Sequence, residues 1–160
     1  MPKELEKMLL IDFTVNKTFS ANNINTTIKK GYRAGTRVKS KTYIKFYEYI
    51  TTLIYRNKVP KIKGNYSVFM IADEKERKDI DNIIKPIIDC LVKTDKIEDD
   101  RNMSSCQSFR YKGQNGCRII IIPTENKHLS IDEIKKNNDL LIDILNCKKH
   151  NRINNSLQVN

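Results

Sequence analysis

The chain has 160 residues, enough for one domain that buries a core without disulfides. Lys and Arg number 30 against 19 Asp and Glu, a formal charge of +11, and 31% of residues are charged against 39% apolar. A field of that sign attracts phosphate backbones. No apolar run approaches the ~20 residues that a membrane crossing needs, and the charged residues 1–7 with the short apolar run 8–11 do not resemble a secretory leader. Cys90, Cys106, Cys117 and Cys147 contain no C-x-x-C pair, and His128 and His150 lie far from any Cys pair, so the spacing argues against zinc. The expectation is free, mostly buried thiols in a reducing, cytoplasmic compartment.

Residues 8–15 read as a first strand. The next stretch, 16–41, is a long polar loop with Gly31 and Gly35 and the cations Lys17, Lys29, Lys30, Arg33, Arg37, Lys39 and Lys41. No acidic residue occurs between Phe13 and Tyr47. Loops of this length in compact domains are commonly functional or disordered. Ser40 suits the cap of a helix reaching about Asn57, with Ile44, Tyr47, Ile50 (or Thr51) and Ile54 as its apolar stripe. Residues 66–72 (YSVFMIA) fit a central strand. A charged connector, 73–78, then leads to a helix over about 82–93. Strands follow near 103–111 and 117–122, joined by a connector whose Asn115-Gly116 predicts a hairpin. Ser130-x-x-Glu133 is a capping box opening a helix over about 130–147, with Ile134, Leu141, Ile144 and Leu145 on its face. Residues 1–148 are expected to form one domain and 149–160 a disordered tail. The order β-α-β-α-β-β-α predicts an α+β fold, a small mixed sheet packed with helices.

The chemistry concentrates in Asp79-Ile80-Asp81-Asn82-Ile83-Ile84-Lys85-Pro86-Ile87-Ile88-Asp89 and the following Glu98-Asp99-Asp100. Ile83, Ile84, Ile87, Ile88 and Leu91 make one buried helical stripe, and Asp81, Lys85 and Asp89 form an i, i+4, i+8 row along its edge. Asp79 and Asp81 share a side if the chain is extended there, so the helix is expected to begin near residue 81 or 82. Adjacent carboxylates repel, and a divalent cation removes the conflict. Mg²⁺ takes hard oxygen donors and keeps several waters, so two or three Asp suffice, with Asp99 or Asp100 as the further source. Such a site supports metal-dependent cleavage of nucleic acid, with Lys85 positioning water or offsetting phosphate charge and Asp89 orienting Lys85. The bland reading is that Asp79 and Asp81 cap the helix, worth roughly 0.5–2 kcal/mol, and that Lys85 and Asp89 form a surface pair of little consequence.

Lys75, Arg77 and Lys78, just ahead of the acids, and the cations of the 16–41 loop are the candidate phosphate contacts. Tyr32 and Phe19 either stack on exposed bases or anchor the loop to the core.

Asp79-Ile80-Asp81-Asn82-x-x-Lys85, then Asp89, then Asp99-Asp100 resembles the signature of the RusA family of Holliday junction resolvases. The resemblance implies a RusA-like fold and a homodimeric, Mg²⁺-dependent endonuclease, with Mn²⁺ as a possible substitute, that makes paired nicks across four-way DNA junctions. It maps the family's acidic triad onto Asp79, Asp81 and Asp100 and its essential lysine onto Lys85, with Asn82, Asp89 and Asp99 in support. The alternatives are a nuclease for flaps, forks or other branched DNA, and a non-catalytic nucleic-acid-binding protein. A helix after residue 130 exceeds what compact members of the family carry.

Overall fold

The structure, a computed structural model, describes residues 10–112 and 114–151, with side chains described as far as residue 146. It divides into two compact units, Leu9–Lys127 and the described residues from His128 onward.

The first unit contains β1 (Ile11–Val15), β2 (Asn25–Thr27), β3 (Arg37–Lys39), α1 (Lys41–Arg56), β4 (Tyr66–Asp73), α2 (Ile80–Lys93), β5 (Met103–Tyr111) and β6 (Cys117–Pro123). Its main sheet runs β1-β6-β4-β5, with β6 antiparallel to β1 and β4, and β5 parallel to β4. β4 is buried from Tyr66 to Ala72, which suits an apolar strand with neighbours on both sides and cover on both faces. The parallel β4–β5 pair needs a crossover, and α2 supplies it.

This topology overturns the expected β5–β6 hairpin, because β4 lies between those strands. Asn-Gly chemistry is local, whereas pairing went to the strand with most apolar surface to cover. The connector instead crosses the end of β4, where the Gly116 carbonyl accepts from the Asp73 amide at 3.1 Å. Gly116 has φ +72°, and an added Cβ would lie 2.6 Å from the Val15 carbonyl oxygen. That close approach requires glycine.

One core joins alternate residues of the sheet (Ile11, Phe13, Val15, Val68, Met70, Cys117, Ile119, Ile121) to α1 and α2. Ser40 caps α1, its hydroxyl accepting from the Tyr43 amide at 3.0 Å. The buried face of α1 is Tyr43, Phe46, Ile50 and Ile54. Ile50 and Ile54 are buried as expected, while Tyr43 and Phe46 take the places expected for Ile44 and Tyr47, and Ile44 is 46% exposed. Arg118 of β6 grips Asp12 of β1 through two bonds, Nε to Oδ1 at 2.9 Å and Nη2 to Oδ2 at 2.8 Å.

The loop expected over 16–41 holds a second, two-stranded antiparallel sheet, β2 with β3. Each strand is three residues long and almost wholly exposed, so it lacks the apolar alternation that marks a strand in sequence. The first strand of the reading began at residue 8; β1 begins at Ile11, and residues 8 and 9 fall outside the described ones.

In the second unit, α3 (Ile131–Asn151) opens on the expected capping box. The Ser130 amide donates to Glu133 Oε2 at 2.7 Å and the Glu133 amide to the Ser130 hydroxyl at 3.2 Å. α3 extends past the expected end near 147, so the tail expected from 149 starts no earlier than 152, outside the described residues. No helix among the described residues is long and apolar enough to cross a membrane. Cys90 and Cys117 are buried free thiols while Cys106 is exposed; the Cys147 side chain lies outside the described ones.

Candidate active site

α2 begins at Ile80, two residues ahead of expectation. Asp79 is therefore its N-cap, in extended backbone at φ −63° and ψ 130°, and Asp81 lies in the first turn. The expected extended lead-in carrying both acids is corrected accordingly: they project from the helix tip rather than from one side of a strand-like segment. The tip's positive dipole end favours carboxylates. Asp79 nonetheless makes no side-chain capping bond. Its contact is with Asn82, whose Nδ2 donates to Asp79 Oδ2 at 3.3 Å. Pro86 inside α2 removes the amide that would bond the Asn82 carbonyl one turn earlier.

Asp79, Asp81 and Lys85 are exposed, and Asp89 is half-buried. No ion pair among the described residues engages Asp79, Asp81, Lys85, Asp89 or Asp100. The expected orientation of Lys85 by Asp89 is thus not seen as an ion pair, although the helical row places both on α2.

Asp99 and Asp100 follow the other end of α2. The chain leaves α2 at Thr94, pairs Ile97 with Ile62, and turns through a short 3₁₀ helix, Asp100–Asn102, into β5. Asp99 is committed locally. Both its oxygens receive the Arg101 guanidinium, Nε at 3.0 Å and Nη2 at 2.7 Å, and Oδ1 also takes the Arg101 amide at 2.8 Å. Those bonds hold its carboxyl well below the usual carboxylate range. Asp100 has no such clamp and is exposed. It lies close enough to Tyr66, together with Asp99, that their charges add to burial in pushing the Tyr66 hydroxyl above its ordinary range. Tyr66 donates to the Asp99 carbonyl at 3.0 Å.

Within one chain, then, Asp79 and Asp81 sit at the start of α2 and Asp100 beyond its end. The 14 residues of α2 put about 21 Å between its ends. Consistently, no three His, Cys, Asp or Glu side chains among the described residues group closely enough to hold one metal ion.

The cations divide by location. At the start of α2, Lys78 donates to the Thr18 hydroxyl at 2.8 Å and lies 3.3 Å from Glu76 Oε1, while Thr18 donates to Glu76 Oε2 at 2.6 Å. Burial pushes the Glu76 carboxyl up, but these bonds outweigh it and hold it below its ordinary value. Lys75 and Arg77 are exposed beside this network. Arg110 of β5 fastens the same segment, its guanidinium donating to the carbonyls of Glu76 and Lys78. This residue escaped the sequence reading, because an Arg in a strand signals nothing about a loop 32 residues earlier.

Lys17, Lys29, Lys30, Arg33, Arg37 and Lys39 are exposed on and around the β2–β3 hairpin. Phe19 and Tyr32 take opposite roles. Phe19 is buried, stacked on Phe46 at 5.2 Å between ring centroids and tilted against Tyr43 at 5.7 Å. It anchors the loop. Tyr32, between the strands of the hairpin, is 99% exposed.

The family model described as Endodeoxyribonuclease RusA matches residues 20–122, which span α1, β4, α2, β5 and most of β6. A search of curated proteins gave no match.

Proposed function

Because the chain belongs to the RusA family of endodeoxyribonucleases, we propose that it resolves four-way DNA junctions, acting as a homodimer with Mg²⁺ and making one nick per subunit. The observation that carries the reading is Asp79, a carboxylate at a helix N-cap that leaves the capping bond unmade. A purely structural aspartate there would accept from the first-turn amides; exposed Asp79 instead accepts only from the Asn82 side chain among the described contacts, with Asp81 in the turn that follows.

The donor set fits a hard cation. Asp79 and Asp81 supply carboxylate oxygens with no lysine or arginine competing for them, while Asp100, beyond the far end of α2, does not reach the same ion within one chain. When bound, the cation acidifies a water and offsets charge on the phosphoryl oxygens. The chain's own groups do the rest. Lys85, one helical turn after Asp81 and free of an ion-pair partner, presents its ammonium to the reacting phosphate and stabilises the charge that builds there. Lys75 and Arg77 hold the flanking backbone, and the hairpin cations extend that grip along a duplex arm. Two subunits related by a two-fold axis match the symmetry of a junction, whose opposed strands are equivalent.

The test is a labelled four-way junction incubated with the protein and Mg²⁺, then with EDTA, beside flap, fork and linear substrates. Metal-dependent paired nicking of the junction is expected. Asp81→Asn should bind it at least as tightly as wild type while cleavage falls by about 100-fold or more. Binding without metal-dependent nicking in wild type would make the protein a non-catalytic binder, and preferential cutting of flaps or forks would move the substrate to other branched DNA.

A further inference from the structure

We propose that Lys39 and Lys93, brought together over the ring of Tyr43, form a separate phosphate site for the DNA substrate, about six base pairs along a duplex arm from the acids that open α2. The purpose of the site rests on the nuclease reading; the site itself stands on three observations.

The first is how the two ammonium groups are held. Lys93, the last residue of α2, donates to the Tyr43 hydroxyl at 3.0 Å and lies over two rings, 5.3 Å from the centroid of Tyr43 and 5.2 Å from that of Tyr47. Lys39, the last residue of β3, lies 5.2 Å from the same Tyr43 centroid. Tyr43 is buried and makes a fixed platform, whereas both lysines are exposed. A surface lysine ordinarily ranges over many rotamers; these two are localised at one ring. No ion pair among the described residues engages either of them. Asp89, one turn before Lys93, lies near it without pairing. The acids that follow α2 are engaged elsewhere: Asp95 by Lys61, Glu98 by the Gly64 amide and Asp99 by Arg101, while Asp100 lies near Tyr66.

The second observation is the charge around that ring. Tyr43 lies in the first turn of α1, which also carries Lys41 and holds no acid. A helix start favours carboxylates and disfavours cations, so Lys39, Lys41 and Lys93 accumulate positive charge where nothing in the fold answers it. An apolar side chain would cover the ring without that repulsion. An anion shared by the two ammonium groups removes it, and a phosphate diester is the anion that a RusA-family chain of +11 meets. The third observation is the path to the acids. α2 buries Ile83, Ile84, Ile87, Ile88 and Leu91, and its exposed residues are Asp81, Lys85 and Lys93, with Asp89 half-buried between the last two. Residues four apart form a ridge along a helix, so Asp81 and Lys93 are the two ends of one solvent-facing ridge. The 14 residues of α2 give that ridge a length of about 21 Å, and a duplex rising 3.4 Å per base pair covers it in about six base pairs. Backbone lying along the ridge meets Lys85 near the acids and the Lys39–Lys93 pair at the far end.

Junction binding measured in EDTA over a range of salt tests the site with cleavage switched off. Lys39→Gln with Lys93→Gln should weaken binding about fivefold or more at low salt and reduce the slope of log K against log salt by about 1–2. Lys93→Gln alone should give about half of that change in slope, and Lys93→Arg should keep the wild-type slope. Neutral methylphosphonate linkages at about base pairs 5–7 of each arm, counted from the crossover, should weaken wild-type binding by a similar factor. They should weaken the double Gln variant hardly further, because both changes remove the same contact. The same linkages about 10 base pairs out should affect wild type and variant equally. Lysines that only pack on the rings would lower the melting temperature by circular dichroism and leave the salt slope unchanged. That result overturns the proposal, as do losses from the lysines and from the 5–7 linkages that simply multiply. A junction bound in the expected pattern but never nicked with Mg²⁺ would leave the phosphate site standing and remove the nuclease reading.

Discussion

Lys85 is the residue whose role is most open to a kinetic decision. It is exposed on α2, one turn from Asp81, with no ion pair among the described residues to hold it. An ammonium that only anchors DNA loses affinity when removed and leaves the rate of the bound complex unchanged, since it stabilises ground and transition states alike. One that meets charge developing on the phosphate loses turnover selectively. Lys85→Ala is therefore expected to lower the single-turnover cleavage rate by tenfold or more, with junction affinity changed by less than about threefold. Lost affinity with an unchanged single-turnover rate on fully bound junction would reassign Lys85 to phosphate anchoring. Lys78 contrasts with it, because its ammonium is already engaged by Thr18 and Glu76. That network shapes the loop ahead of Asp79, so Lys78 serves position more than charge.

The elements divide sharply in how far the chain's residues announce them. α1 and α3 declare themselves through side-chain chemistry confined to a few neighbours: Ser40 reaches the Tyr43 amide, and Ser130 and Glu133 exchange bonds across one turn. The apolar stripe of α2 (Ile83, Ile84, Ile87, Ile88, Leu91) was equally readable, since it is a regular pattern of burial. What local pattern does not carry is which strands pair. The β5–β6 connector has good turn residues, yet β4 takes the place between them. The acids follow the same rule. Their identity and order are visible in the residues, but their separation within one chain follows from which end of α2 each occupies. The β2–β3 hairpin was read as loop because its side chains meet solvent on both sides. Its protruding form gives Tyr32 a purpose. A ring 99% exposed between Lys29, Lys30 and Arg33 gains nothing from the core, whereas stacking on an unpaired base contributes ~1–3 kcal/mol. Tyr32→Ala should weaken binding to the open junction by roughly tenfold and to linear duplex hardly at all, with Tyr32→Phe close to wild type because the face is kept. Equal weakening on both substrates would mean the ring only supports the arm.

At the scale of the molecule, the excess of +11 is distributed with respect to the acids. The hairpin leaves the sheet after β1, whose last residue, Val15, pairs with Cys117; Gly116, one residue earlier, bonds Asp73 at the end of β4. The base of the hairpin, however, lies toward the other end of α2, where Lys39 and Lys93 both sit over the Tyr43 ring, at 5.2 and 5.3 Å. Repulsion of DNA by the acids is local and attraction by the cations extended, and ionic strength separates them. Each phosphate neutralised on a duplex arm steepens the fall of log K with log salt by about 0.9. Replacing Lys29, Lys30 and Arg33 with Gln should reduce that slope by about 2–3 and weaken junction and duplex binding alike at low salt. Cleavage of fully bound junction should stay near wild type, because none of the three lies on α2 or beside Asp100. An unchanged slope would take the hairpin off the DNA and leave Lys75 and Arg77 as the main source of attraction. An unchanged slope together with lost cleavage would instead tie the hairpin to the geometry of the site.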